Sequence, residues 1–330
     1  MIQLATAVFF VALGTCLTQG SAREPGVPGI CRFLGGAEAA VSLQFDDSMT
    51  SQLANAIPLL NARGIHATFF VNTESGQYKS HRHEWEVDVP KAGHELGNHT
   101  AHHSGAKTIE ELDKEIGLCS AQLDRVLGAR PRLTSFAIPG GVPWGFTPEQ
   151  LAKVLEKYRL VLADRRNFFD EQKTDPVSYV QKAIDTHAWS NVSMHGAGGE
   201  WLSTSLPTLT HLLDFMVAHR PALWIAPNID IYKYVVEREA AEQPVVKRTG
   251  SSMVSVSVMC DRTKLETFGC SVAALYDQPL TVEISVPVNW DQIRIVQGKR
   301  VVHGEVVRAG LARIDVLPNA GSATVTQDSK

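Results

Sequence analysis

The stretch AVSLQFDDSMTSQLANAIPLLNARGIHATFFV, residues 40–71, decides the fold. "AVSLQF" is a short strand pattern that ends at Asp46-Asp47. "SQLANAIPLLNARG" places apolar residues at helical spacing and stops at Gly64. "HATFFV" is a β-branched and aromatic strand. The same alternation continues. "HELGN" is a shorter strand. "TIEELDKEIGLCSAQLDRVLG" is an amphipathic helix, with Thr108 and Glu111 as a capping box and Gly128 at its end. "LTSFAIP" is a strand, and Thr147-Pro148-Glu149-Gln150 opens another helix with Pro at its first position. Further strands read "RLVLA", "NVSMH" and "ALWIAP", with helices around 177–185, 206–219 and 228–241. Strands alternating with helices imply parallel β-structure with helices outside, as a barrel or an open sheet. In both, chemistry gathers at the C-terminal ends of the strands, where Asp46-Asp47, the region of His99, Pro139 and His195 all fall.

After Gln243 the pattern changes. "SSMVSVSVMC", "CSVAAL", "LTVEISVP", "DQIRIVQ", "KRVVHGEVV" and "LARIDVLP" are short alternating strands separated by Gly, Pro and Asn, the pattern of a small all-β sandwich over 250–327. Its one tryptophan, Trp290, gives little support for an aromatic sugar platform there, so packing beside the larger domain is its expected role. The terminal "QDSK" reads as a frayed end.

The 330 residues suffice for a large domain plus a small one, and 44% hydrophobic with 20% charged residues allows a sizeable core. A net charge of -4 without a long basic run argues against nucleic acid as partner. Residues 1–22, "MIQLATAVFFVALGTCLTQGSA", have an apolar run of signal-peptide length followed by Gly20, Ser21 and Ala22. Export with cleavage near Ala22 is expected, leaving no transmembrane span in the mature chain, although no Lys or Arg precedes the run. "LGTC" at 13–16 makes lipid attachment at Cys16 the lesser alternative. Cys31, Cys119, Cys260 and Cys270 then form two disulfides or remain buried thiols, with Cys260 and Cys270 able to staple a hairpin. No CxxC occurs, which disfavours a cysteine zinc site.

"NHTAHHS", 98–104, puts three histidines within five positions. Residues three or four apart share a helical face, so His99 acts with His103 or with His102, whereas His102 and His103 diverge. A metal there needs a third ligand, and a carboxylate is the natural one. Successive side chains at a strand end diverge, so of Asp46 and Asp47 one can bind metal while the other faces substrate. One Asp and two His with an open position describe a catalytic metal site. Taken singly, either aspartate is also a good helix cap and His195 a plausible core histidine. His81, His83, His94 and His187 read as surface or structural residues.

"QFDDSMT", "GNHTAHH", "AIPGG" and "SMHGAGG", in that order, resemble the polysaccharide deacetylases of the NodB-homology type, carbohydrate esterase family 4. "GIHATFFV" and "GHELGNHT" are also similar to the family. The resemblance runs over roughly 38–240 and implies a distorted (β/α) barrel over 23–243. It implies Asp47, His99 and His103 as ligands of a divalent metal, Zn2+ above others, with His102 turned aside. It further implies Asp46 as general base, His195 as general acid, and the Gly140 N–H as an oxyanion donor. The implied activity is metal-dependent removal of acetyl groups from an N-acetylated sugar polymer or oligomer. Alternatives are an O-acetyl esterase of the xylan type with the same site, and an inactive glycan-binding protein. A serine hydrolase is disfavoured, since no GxSxG elbow is present.

The chain departs from the family pattern at several points. Ala137 stands where an arginine commonly supports the base. "ADRRNF" at 163–168 replaces the usual fourth motif, and Ser193 stands where many members have leucine. A cation near Asp46 is still expected, because two close carboxylates raise each other's pKa. Arg165, or less so Arg166, is the candidate. "HGAGG" followed by Trp201 is similar to a subgroup with Gly after the acid histidine.

Overall fold

The computed structural model describes residues 28–128, 132–164, 167–267 and 277–328. After a two-residue strand β1 (Gly29–Ile30), the expected strands appear as β2 (Ala39–Asp46), β3 (Thr68–Val71), β4 (Glu95–Asn98), β5 (Thr134–Phe136), β6 (Leu160–Leu162), β7 (Trp189–Met194) and β8 (Leu223–Ile225). From β2 onward all pair in parallel, in the order β6-β5-β4-β3-β2-β7. β7 occupies one edge of β2 from Ala40 to Phe45, so β3 and β8 divide the other: β3 takes Gln44–Asp46 and β8 takes Ala39–Val41. Beyond β6 the chain runs along β7, where Ser193 donates to the Asn167 carbonyl (3.1 Å) and Phe169 donates to the Ser193 carbonyl (2.9 Å). This contact carries the β6 side of the sheet round to β7, giving a curled, distorted (β/α) barrel.

Period-two alternation assigns the two faces of β2. Val41, Leu43 and Phe45 lie in one cluster with Leu60, Leu209, Leu212 and Leu213 of the surrounding helices. Ser42, Gln44 and Asp46 are buried polar residues on the inner face. The interior is hydrogen-bonded rather than greasy: Ser193 donates to Gln44 (3.0 Å), Gln44 to Asn228 (3.2 Å) and Asn228 to Ser135 (2.9 Å). Such a layer satisfies the polar side chains that the site above requires.

The expected helices form at Ile109–Leu127, Pro148–Lys157, Val177–Asp185, Leu206–Ala218 and Asn228–Ala240. Two details differ from the sequence reading. Thr108 caps its helix by accepting from the Glu111 N–H, but the Glu111 carboxylate takes the Lys107 N–H, so the reciprocal half of the box is displaced by one residue. The helical run over 50–61 opens with a π-helical turn, Gln52–Ala56, just before Pro58, and the same happens at Glu84–Asp88 before Pro90. Proline lacks an N–H and clashes with the carbonyl four residues back, and a wider turn relieves both faults.

The remaining strands are β9 (Val245–Thr249), β10 (Met253–Ser257), β11 (Leu280–Ser285), β12 (Gln292–Gln297), β13 (Arg300–Arg308), β14 (Leu311–Val316) and β15 (Ala323–Gln327). They pair antiparallel in the order β1-β11-β14-β13-β12-β15-β10-β9, and β13 serves both halves across an irregularity at Val306/Arg308. The "CSVAAL" segment lies outside the described residues. Against the expectation of a sandwich with a separate core beginning at 250, β1 and β9 join this sheet. Its apolar interior also includes Tyr234, Val236 and Ala240 of the helix Asn228–Ala240, together with Leu133 and Val161 of the barrel. The core of the β-sheet region is therefore closed in part by barrel residues, while the barrel keeps its own cluster around β2. Among the described residues no disulfide joins Cys31, Cys119 and Cys260, and Cys270 lies outside them.

One buried histidine makes this fold acid-sensitive. His94 accepts the Ala67 N–H at Nδ1 (3.1 Å), so Nε2 carries the proton and donates to Asn61 (3.0 Å). Burial first, and His66 second, push its pKa down to about 4. A folded-state value below the ordinary one means that stability is full above the unfolded pKa and falls as pH drops from about 6.5 toward 4. Between pH 7 and 5 this single group should remove about 2 kcal/mol. Urea unfolding at both pH values checks this, because His94→Asn keeps an acceptor but cannot titrate and should lose that much less than the parent. An equal loss in both proteins sinks the assignment.

Candidate active site

The candidate site stands at the C-terminal ends of β2, β4, β5 and β7. The chain leaves β2 and β4 by abrupt turns, with Asp47 (φ 76°), Ser48 (φ 54°), Thr100 (φ 67°) and His103 (φ 56°) in left-handed conformations. Non-glycine residues held this way store strain, which clusters at functional sites. Here the surroundings hold them. Asn72, just past β3, donates from its side chain to the His99 and Thr100 carbonyls, while its own N–H is taken by the Ser48 hydroxyl (2.9 Å). One buried amide therefore braces both turns. The Thr100 hydroxyl accepts the His103 N–H (3.2 Å).

The turns bring Asp47, His99 and His103 together. Asp47 Oδ1 lies 3.4 Å from His99 Nε2 and 3.3 Å from His103 Nε2, and one ligand atom from each residue falls within 4.8 Å of the others. His99 Nδ1–H donates to the Ala137 carbonyl (2.9 Å), which leaves the Nε2 lone pair facing Asp47. Asp47 Oδ1 is buried yet has no hydrogen-bond partner. A buried carboxylate oxygen without a hydrogen-bond partner, facing the Nε2 atoms of two imidazoles, is a donor set that fits a divalent cation. With no ion between them and His99 protonated, burial acts to raise the Asp47 carboxyl, His99 lowers it, Asp46 raises it and His195 lowers it, and the net lies below the usual value.

His102 points elsewhere. Its Nδ1 and its N–H both meet the Glu115 carboxylate at 2.9 Å, which clamps the histidine loop to the helix Ile109–Leu127. Asp46 is buried, with Oδ2 3.8 Å from His99 Nε2 and 3.7 Å from His195 Nε2. His195 Nε2 is also 3.7 Å from Asp47 Oδ2. Gly140 follows β5 on an exposed loop, and a Cβ placed on it meets nothing within 4 Å. Arg165 and Arg166 lie outside the described residues.

Three contributors were not read from the sequence. Gln52 is fully buried and donates to the Asp46 carbonyl (2.5 Å) and the His195 carbonyl (3.1 Å), linking the ends of β2 and β7. Asn72 braces the ligand turns as described. Phe168 sets its ring 5.2 Å from that of His195, edge to face. Gln52 stands in a polar helix start, Thr50-Ser51-Gln52, and nothing in the sequence separates it from its neighbours. Phe168 gives no signal either, because its place depends on the chain running back along β7.

Residues 35–161 match the polysaccharide deacetylase family model. No curated protein matches the chain. Among solved structures, a family 4 carbohydrate esterase from Streptomyces lividans, in complex with acetate, is similar at 22% identity, over 57% of this chain and 92% of that one, with a TM-score of 0.41. A peptidoglycan deacetylase from Bacillus subtilis is similar at 19% identity, over 61% and 94%, with a TM-score of 0.43. A carbohydrate esterase family 4 pseudoenzyme from Bacillus anthracis is similar at 17% identity, over 58% and 65%, with a TM-score of 0.44. The matched segment takes in Asp46, Asp47, His99, His103 and Gly140 and ends before His195. Residues 35–161 thus carry the sequence pattern of the polysaccharide deacetylase family.

Proposed function

We propose that this protein is a metal-dependent hydrolase that removes acetyl groups from an N-acetylated sugar polymer or oligomer. The observation that carries the reading is the convergence of Asp47, His99 and His103 beside a buried Asp46 and His195. Asp47, His99 and His103 would hold the cation, and two imidazoles with one carboxylate suit zinc. When bound, such an ion supplies Lewis acidity, activating water and polarising an acyl carbonyl. Asp46 takes a proton from the water whose oxygen adds to the acetamide carbon. The exposed Gly140 N–H donates to the oxygen that becomes negative. His195 then protonates the nitrogen as the C–N bond breaks, because an amide anion is a very poor leaving group, and acetate and a free amine result. Glu115 and His102 fix the histidine loop during these steps, and Gln52 fixes the backbones that carry base and acid.

The reading also includes export of the chain and a cleaved leader at 1–22, which lies outside the described residues. Among the described residues no helix is long and apolar enough to cross a membrane. Arg165 is retained as the cation that supports Asp46.

Acetate release from a panel of N- and O-acetylated glycans, with and without a chelator, tests the assignment. Release from N-acetylated oligosaccharides that stops on chelation and returns with Zn2+ is the expected result. Release from acetylated xylan alone makes the protein an esterase, and sugar binding without release makes it an inactive binder.

A further inference from the structure

We propose that Trp144 is a positioning residue for the reaction: its indole N–H holds the Pro139 carbonyl and so aims the Gly140 N–H at the acyl oxygen. This rests on the deacetylase reading above, in which that N–H meets the developing negative charge. Trp144 Nε1 donates to the Pro139 carbonyl at 2.9 Å. That carbonyl and the Gly140 N–H belong to one peptide unit, which is planar and trans, so the two point in opposite directions. Fixing one end fixes the other. Pro139 is buried and Gly140 exposed, and among the described residues none accepts the Gly140 N–H.

This peptide leaves the sheet beside a ligand histidine. The Ala137 carbonyl accepts from His99 Nδ1 (2.9 Å), and the Ala137 N–H donates to the Asn98 carbonyl (3.0 Å). β5 itself ends at Phe136, so the sheet does not set the plane of the 139–140 unit. The residue after that unit is glycine, whose φ is the least restricted of any residue. Left to itself, the unit can turn end over end and carry its N–H away from the site. The indole removes that freedom.

Trp144 is firmly held in its turn. Its ring lies 5.5 Å from that of Phe146 and packs on the apolar cluster of Leu112, Ile116 and Phe136. Its backbone is laced to the segment that follows the histidine loop. The Ala106 N–H donates to the Pro143 carbonyl (3.0 Å), and the Gly145 N–H donates to the Ala106 carbonyl (2.8 Å). The approach leaves no room for side chains: a Cβ on Gly105 would strike the Pro143 carbonyl oxygen, and one on Gly145 the Lys107 carbonyl oxygen. Residues 105–107 come directly after His103 and Ser104. The donor peptide and the ligand histidines are thereby fixed to one frame, as pre-organised stabilisation of a developing charge requires.

The test compares three Zn2+-loaded proteins: the parent, Trp144→Phe, and a chain in which a benzothienyl isostere replaces the indole of Trp144, with sulfur in place of Nε1–H. The readouts are steady-state acetate release from N-acetylchito-oligosaccharides, Kd for a methylphosphonamidate analogue of the tetrahedral intermediate, zinc Kd and Tm. Both replacements should lower kcat about tenfold. That is short of the roughly 10²- to 10³-fold that deleting an oxyanion donor costs, because the Gly140 N–H is still present but no longer aimed. The phosphonamidate should bind more weakly by the same factor, while KM and zinc Kd hold within about twofold. Parental kcat and phosphonamidate affinity in the isostere overturn the assignment and leave the deacetylase reading standing. Equal falls in kcat, substrate affinity and zinc affinity also overturn it, since the indole then only holds the loop together. A parent that releases acetate from none of the N-acetylated glycans overturns the deacetylase reading and the assignment with it.

Discussion

Asp46→Asn should cut acetate release by about 10²- to 10⁴-fold and leave metal affinity within a few-fold. Asparagine keeps the size and one acceptor of the side chain, so the buried position can stay packed, but it cannot take a proton at neutral pH. The backbone carbonyl of residue 46, which Gln52 holds, is untouched by the change. Asp46 Oδ2 lies 3.8 Å from His99 Nε2 whereas Asp47 Oδ1 lies between both histidines, so the two carboxylates have separable duties. The decisive comparison is kcat against metal Kd. A variant that loses metal as severely as activity makes Asp46 a ligand, and one that retains activity leaves the base unassigned.

Asp47→Asn should weaken metal binding by about 100-fold or more, read by competition with a chromophoric chelator. Asparagine is the informative replacement here. Residue 47 sits at φ 76°, a conformation that Asn tolerates better than most side chains, so the turn survives while the charge is lost. Asp47→Ala removes the ligand and strains the turn together and so mixes two effects. Because the readout is binding, the result stands even if no substrate is at hand. Unchanged affinity would show that the orphaned Asp47 oxygen has another purpose.

Much of this was legible at 40–71, because a parallel barrel writes its inner and outer faces as alternation along each strand. Ser42, Gln44 and Asp46 against Val41, Leu43 and Phe45 already imply a polar interior under the carboxylate pair. Spacing left His102 and His103 as equals. What separates them is a left-handed residue at Thr100 and a carboxylate on a later helix, Glu115, and neither is a property of the five-residue motif. The end of the barrel was harder to read for the same reason. β1 is two residues long and makes sense only when paired with Glu283 and Val282, far along the chain. The strands β9 and β15, at Val245–Thr249 and Ala323–Gln327, are not among the strands the sequence marks, because short polar runs such as "VVKRT" and "ATVTQ" become strands only when a neighbour offers a ladder. The expected boundary at 250 likewise followed a change in pattern, whereas the core follows Tyr234 and Val236 across it.

The pairing of β1 with β11 has a consequence for how the chain comes into being. Synthesis delivers Gly29 and Ile30 early and their partners on Leu280–Ser285 late, after the whole barrel has been made. Until then Ile30, Tyr234 and Val236 stand as bare apolar surface, and the Tyr234 hydroxyl has yet to meet the Cys31 carbonyl through a settled first strand. Closing contacts of such wide sequence separation is slow, since loop entropy is lost before any ladder bond repays it. The late strands therefore act as a clasp on the barrel made before them. A nick in the crossover near Glu242 would leave two pieces still fastened by that clasp.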